Sequence, residues 1–310
     1  MQILSRNDIE ARFNLDRAVS AIERCYQDYS AGRINHPPVG HIVFDEEGAD
    51  CHLKYGQIRG DEHFVVKLAM GMPGNSKKGL PTGDGMLLVL SAKTGELLAL
   101  LHDRMFLTDQ RTAIGGAIAS RWLARPTSRR LLIVGTGVQA RYQLDLHRTL
   151  LPNIDSVEVW GRSARRAADL AEQALAEVSD DLAASCRRAD VVVTTTAARS
   201  PIIKQEWIES GTHITAVGAD APGKQELATG LVARADVVVA DSIAQCVDHG
   251  EIEVAIKDGS LDASSIRELG EVIAGRHRGR TSEEQISIVD LTGLAAQDIA
   301  IAKSVLIDEA

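Results

Sequence analysis

"LLIVGTGVQAR", Leu131 to Arg141, is the stretch that decides the fold. Four apolar residues, two of them β-branched, read as a buried strand, and they run into Gly135-Thr136-Gly137-Val138-Gln139-Ala140, a G-x-G-x-x-A turn opening a helix. Gly135 permits the tight turn, Gly137 lets the backbone approach a pyrophosphate, and Ala140 lets helix and strand pack closely. The amides of Val138 and Gln139 would then face the phosphates at the helix N-terminus. The same residues could make a tight strand-to-helix turn and nothing more. Dinucleotide binding is favoured because strand, turn, helix and the next strand, "SVEVWG", fall where that function requires them.

Working outward toward the C-terminus, strand and helix alternate. "VQARYQLDLHRTL" and "ARRAADLAEQALAEV" read as helices, while "ADVVVTTT", "THITAVG" and "ADVVVADS" read as buried strands. The rhythm predicts a Rossmann-type, doubly wound parallel sheet. "RRADVVVTTT" and "ARADVVVADS" look alike because both are buried parallel strands, not because the chain is a repeat protein. Thr194, Thr195 and Thr196 end one strand, and Val217 and Gly218 end another, on the side where such sheets bind ligands. An NAD-type site would place an acid at the end of "SVEVWG". Gly161 stands there, followed by Arg162, Ser163, Arg165 and Arg166, a set that suits a 2′-phosphate and tilts the expectation toward NADP(H). The alternative is a solvated helix face.

Working outward toward the N-terminus, the texture differs. "NDIEARFNLDRAVSAIERCYQDYSAGR" predicts two helices around Asn14, stopping near Gly32. "HPPVGHIVF", "DCHLKYGQI", "HFVVKLAMG" and "GMLLVLSAKTGELLALLHD" predict strands, the last a hairpin turning at Lys93-Thr94-Gly95. "TDQRTAIGGAIASRWLA" is helical text for which Thr108 is the expected N-cap, and "DLTGLAAQDIAIAKSVLI" is an apolar closing helix that could return to the first domain. The chain is thus expected to pair the parallel-sheet domain with a smaller α+β domain.

Composition narrows the function. With 34 basic and 43 acidic residues the net charge is −9, which offers no electrostatic footprint for nucleic acid or an anionic membrane. No apolar run approaches the roughly 18 residues of a membrane span, and "MQILSRNDIEARF" lacks a signal core, so a cytoplasmic location is expected. Cys25, Cys51, Cys186 and Cys246 are scattered and read as reduced, buried thiols. "GRHRGR", Arg276 to Arg280 at its core, reads as a surface loop. The nine histidines form no H-x-x-x-H or Cys/His spacing, so no metal site is expected, and there is no G-x-S-x-G of a serine hydrolase.

"VVKLAMGMPGNSKKGLPTGDG", "LTDQRTAIGGAIASRWLA", "IVGTGVQAR", "VGADAPGKQEL" and "DLTGLAAQD" resemble, in order and spacing, the ornithine cyclodeaminase/mu-crystallin family. The resemblance implies hydride chemistry with NAD(P) at the α-carbon of an amino or imino acid. It implies a homodimer in which residues 1–115 with 296–310 form the substrate-binding and dimerisation domain and 116–295 the NAD(P)-binding domain. Lys67 and Arg111 match positions that grip the substrate carboxylate, Thr112 a cofactor-phosphate contact, and Asp220 the catalytic acid of the cyclodeaminases. The physics agrees. Arg111 offers a bidentate fork and Lys67 a point charge. "FVVKLA" is apolar around its lysine, so Lys67 needs an anionic partner or a pocket, and Arg111 near a helix start opposes the macrodipole. Lys67 is also a candidate catalytic residue. Asp220 beside an amine could take its proton as hydride leaves, or could be a turn-former in "GADAPGK". Two departures bear on the substrate. The family's arginine after an early proline is missing from "HPPVGHIVF", where His41 is the nearest substitute, and the acid that would hold a distal ammonium is replaced in "DCHLKYG" by His52 and Lys54. Lys54 would repel a diamino acid and attract an acidic side chain, unless it is a solvated strand residue. Cyclodeamination with release of ammonia, reduction of a cyclic or acidic imino acid, amino acid oxidation, and NADPH binding without turnover all remain open at this point.

Overall fold

A computed structural model describes residues 1–306; the last four, part of the segment 296–310 assigned above to the first domain, lie outside the described residues. The chain divides into Met1–Arg111 with the chain from Leu294 onward, and Thr112–Gly293. From the sequence alone these lines are expected at 115/116 and 295/296.

In the first unit, Ser5 forms a capping box with Asp8 to start helix α1 (Arg6–Arg12), and Asn14 accepts the Arg17 amide at 2.9 Å to start α2 (Leu15–Ser30). The helix-spaced residues Ala18, Ile22, Cys25 and Tyr26 are the buried face of α2. Strands β1 (Gln2–Ser5), β2 (Ile34–Asn35), β3 (Gly40–Phe44), β4 (Ala49–Ile58), β5 (His63–Gly71), β6 (Gly83–Ser91) and β7 (Leu97–His102) form a seven-stranded sheet of order β1-β7-β6-β5-β4-β2, with β3 also paired to β4. Every pairing is antiparallel except β1 with β7. β1 and β2 were not foreseen, being four and two residues long, too short for a period of two to register. The β6–β7 hairpin turns as expected, with Gly95 at φ +76°. The closing helix, Ala295–Leu306, packs on α2, β4 and β5.

Helix α3 (Phe106–Leu123) begins two residues before the expected cap. Arg104 and Met105 adopt left-handed φ values of 50° and 72°, and the Asp103 carboxylate accepts the Leu107 amide at 2.8 Å. Asp103 therefore does the capping and Thr108 lies inside the first turn. The unit boundary falls within this helix, between Arg111 and Thr112.

The second unit is the expected Rossmann-type fold. Strands β8 (Arg130–Val134), β9 (Ser156–Trp160), β10 (Glu177–Val178), β11 (Val191–Thr194), β13 (His213–Ala216), β15 (Val237–Ala240), β16 (Arg267–Glu268) and β17 (Ser287–Asp290) form an all-parallel sheet of order β10-β9-β8-β11-β13-β17-β15-β16. A parallel pair, β12 (Arg199–Ile203) and β14 (Gln225–Leu227), stands apart. Strand order reverses around β8, with β9 on one side and β11 on the other, which puts the switch point at the G-x-G turn. Helix α4 (Val138–Leu150) follows β8, and α5 (Ala164–Ala174) follows β9. Helix α5 is shorter than expected because Leu175 turns left-handed (φ 51°) and releases Glu177–Val178 to pair with β9. The closing apolar segment is likewise split: Asp290 belongs to β17, which was missed because only Ile288 and Val289 signal a strand, yet it lies between β13 and β15.

A buried hydrogen-bond chain braces this unit. Ser120 of α3 meets His147 of α4 and Thr215 of β13, each at 2.7 Å, and His213 joins Thr215 to Ser287 of β17, each at 2.9 Å. Burial drives His147 down to about 4, so it stays neutral. Within "GRHRGR", Arg276 to Arg278 are exposed as expected, whereas Arg280 turns inward to donate to the Leu123 carbonyl and the Ser287 hydroxyl. Among the described residues no helix is long and apolar enough to cross a membrane.

Candidate active site

The G-x-G turn is built to receive a ligand. The Gly135 amide donates to the Trp160 carbonyl at 2.9 Å, and its φ of 140° is open to glycine. A Cβ there would lie 2.2 Å from Thr195 Oγ1. At Gly137 a Cβ would meet nothing within 4 Å, and Gly137 caps α4 with no side-chain hydrogen bond. Val138 at the start of α4 is exposed, while Ala140 is fully buried against the sheet, and the first amides of a helix have no intrahelical carbonyl to meet. These residues fit a dinucleotide pyrophosphate.

At the end of β9 a Cβ on Gly161 would lie 2.3 Å from Thr136 Cγ2, so the turn itself disfavours the acid that an NAD-type site carries there. Arg162 is exposed, and Ser163 caps α5 by accepting the Arg166 amide at 3.4 Å. Thr112 lends its carbonyl to Gln143 Nε2 at 3.2 Å.

Register places Val134, Thr194, Ala216 and Asp290 side by side at the strand ends. Just beyond them sits a buried carboxylate. Glu226, fully buried, accepts from the Thr194 hydroxyl at 2.7 Å, from the Gly218 amide at 2.8 Å and from the Thr196 amide. Glu251 in turn accepts the amides of Glu226 and Leu227 at 2.6 and 2.9 Å, and Asp290 accepts that of Ile252 at 3.1 Å. Burial raises all three carboxyl groups, Asp290 to about 7. Glu226 thus fixes the predicted cofactor-side positions Thr194, Thr196 and Gly218, while Val217 is buried. Asp220, two residues past Gly218, is exposed and paired with Lys224.

In the first unit Lys67 and Arg111 converge. Lys67 is 2% exposed, and its Nζ donates to Asp298 Oδ1 at 2.8 Å. Arg111 Nε lies 3.1 Å from the same oxygen, and its Nη1 donates to Gln297 Oε1 at 3.2 Å. Gln297 donates to the Tyr26 hydroxyl at 2.8 Å, which locks the closing helix to α2. The anionic partner that "FVVKLA" required is therefore Asp298. Arg111 is the sixth residue of α3, a turn past the helix start, so its charge is balanced by Asp298 and the macrodipole argument does not apply. Lys54 sits directly opposite Lys67 on β4 and is half-buried, which excludes a fully solvated strand lysine. Burial, Arg111 and Lys54 outweigh Asp298 and bring Lys67 down to about 7.

The whole chain matches one family: residues 1–309 fit the sequence model of the ornithine cyclodeaminase/mu-crystallin family. The chain belongs to that family. It is similar to an archaeal alanine dehydrogenase dimer with bound NAD, with TM-score 0.90, 35% identity and coverage of 98% of this chain and 94% of that one. It is similar to the Δ1-pyrroline-2-carboxylate reductase of Thermococcus litoralis, solved with NADH and L-proline, with TM-score 0.90, 29% identity and coverage of 98% and 96%. It also resembles the iminosuccinate reductase of Paracoccus denitrificans, solved with NAD+, with TM-score 0.90, 29% identity and coverage of 99% and 95%.

Within this member of the ornithine cyclodeaminase/mu-crystallin family, His41 stands opposite His52 across β3 and β4. Both Nε2 atoms approach Asp50 Oδ2, at 3.2 and 3.0 Å, and the rings stack 4.4 Å apart. Linear spacing predicted no such cluster, because antiparallel pairing and an i, i+2 step on one strand face assemble it. Their ligand atoms all lie within 4.8 Å of one another, so the three could hold a metal ion. Asp298 and Glu226 carry a fainter signal, a lone acid in the apolar run "AAQDIAIA" and an acid between two short strands.

Proposed function

We propose that this protein transfers a hydride between NAD(P)(H) and the α-carbon of an amino or imino acid. The observation that carries the reading is the buried convergence of Lys67 and Arg111 on one another, two cations against the single counterion Asp298, which suits a substrate carboxylate. The family relatives, which dehydrogenate alanine or reduce cyclic and dicarboxylic imino acids, support it.

The residues divide the work. Lys67 and Arg111 bind and orient the carboxylate, and so fix the α-carbon. Gly135, Gly137, Val138, Gln139, Ala140 and Thr112 hold the cofactor phosphates, with Thr194, Thr195, Thr196, Val217 and Gly218 along the strand ends. The nicotinamide supplies a two-electron hydride acceptor or donor when bound. Asp220 holds or releases the proton at the substrate nitrogen. Arg162 and Ser163 favour NADP(H), although the relatives above carry NAD. The first unit is the substrate-binding and dimerisation domain and the second the cofactor domain, in a homodimer like the alanine dehydrogenase. Four free, buried cysteines suit a cytoplasmic enzyme, with burial pushing Cys186 up to about 12.

A second reading concerns the side chain. Lys54 shares a sheet face with Lys67 and His52, which favours an acidic imino acid over ornithine. The test follows nicotinamide absorbance with NADH and NADPH against 2-oxo acids plus ammonia or methylamine, cyclic imino acids and oxaloacetate plus ammonia. Ornithine and lysine with catalytic NAD+ are scored for ammonia release. Proline from ornithine at a good rate would overturn the Lys54 reading. Tight NADPH binding without turnover would favour a crystallin-like binding protein.

A further inference from the structure

Lys67 and Asp298 come from β5 and the closing helix, and the pair is sealed from water, with side chains 2% and 3% exposed. One oxygen of Asp298 serves both Lys67 and Arg111, while its Oδ2 has no hydrogen-bond partner among the described residues. A single carboxylate thus sets the distance between two cations that would otherwise repel, and its backbone is pinned through Gln297 to Tyr26.

We propose that Asp298 is a positioning residue of the reaction: it holds Lys67 and Arg111 in one geometry and keeps Lys67 protonated enough to grip a carboxylate. The proposal rests on the reading that Lys67 binds substrate. The charged groups facing Lys67 are Lys54 on β4, Arg111 on α3, Asp103 before α3 and Asp298 on the closing helix. Burial raises Asp103 to about 6, so it too is an anion at neutral pH, but Asp298, held below the ordinary carboxylate range by Lys67 and Arg111 against its own burial, is the one whose oxygen touches Lys67, at 2.8 Å. Without it, burial, Arg111 and Lys54 all act in one direction on Lys67, toward the neutral amine, which cannot donate a charge-assisted bond to a carboxylate. Asp298 does not touch the reacting atoms; it acts through Lys67.

The test compares wild type, Asp298→Asn and Lys67→Met in kcat, KM and pH profile on whichever imino acid proves to be the substrate, with NADH binding and thermal melts as folding controls. In wild type, kcat/KM should fall as pH rises through the Lys67 deprotonation. In D298N that fall should move down by about one pH unit or more, with KM raised and NADH affinity kept. An unmoved profile in D298N alongside a dead K67M would overturn the proposal and leave the carboxylate-binding reading standing. Full activity in K67M would overturn that reading itself. Should D298N fail to fold, Asp298→Glu and a 13Cε-lysine NMR titration replace it. Glu keeps the charge but displaces the oxygen that spaces Lys67 from Arg111, so a Lys67 midpoint at the ordinary lysine value, or a D298E enzyme with wild-type KM, overturns the proposal; a depressed midpoint with KM raised in D298E supports it.

Discussion

The Glu226 carboxylate accepts the Gly218 amide at 2.8 Å, and the same side chain takes the Thr194 hydroxyl at 2.7 Å. The segment leading to Asp220 is therefore tied to the end of β11 by one buried acid. Glu226→Ala would leave the Thr194 hydroxyl and the amides of Thr196 and Gly218 without their partner, at about 1–3 kcal/mol for each buried group left unpaired. A urea melt should show a loss of about 3 kcal/mol or more. A loss under about 1 kcal/mol would mean water replaces the carboxylate.

Two glycines separate folding from binding. Gly135→Ala forces a left-handed backbone and a Cβ 2.2 Å from Thr195 Oγ1, so it should lower both the melting temperature and NAD(P)H affinity. Gly137→Ala places its methyl in open space and should melt like wild type while binding the dinucleotide at least about tenfold more weakly. Unchanged affinity for G137A, read by NADH fluorescence, would move the phosphate site elsewhere.

Asp220→Ala should change stability by no more than about 0.5 kcal/mol, because the side chain is half exposed. Cofactor affinity should also hold. Turnover should fall about 10²-fold or more if the acid manages the proton at nitrogen. Full turnover would reduce Asp220 to a turn residue paired with Lys224.

Asp290 gives a pH dependence with a defined sign. Burial raises it from 3.8 to about 7 in the folded chain, so between those values the unfolded chain releases the proton and the folded chain keeps it. The unfolded state then binds fewer protons, and this group's contribution to stability falls as pH rises from about 4 to about 7, levelling off above. Asp290→Asn removes the effect. The stability difference between D290N and wild type should grow in the variant's favour by on the order of 2–4 kcal/mol across that window, as followed by melts at fixed ionic strength. A constant difference would place Asp290 at an ordinary value in the native state.

The hydrophobic periods and the G-x-G-x-x-A turn determined by themselves a Rossmann-type unit and an α+β unit. They did so because strand alternation, helical spacing and a glycine-only φ are local properties that each residue carries with it. Lys67 announced a buried partner for the same reason, since its neighbours on the strand are apolar. What only the tertiary structure decided is who meets whom. Asp298, 231 residues from Lys67, becomes its counterion because the closing helix packs on β4 and β5. Glu226 becomes the anchor of two strand ends, those of β11 and β13, β17 enters between β13 and β15, and His41 faces His52, through pairings that no local period encodes. Charge balance in a buried site is a property of the packed chain, and it is there that the specificity of this family member has to be sought.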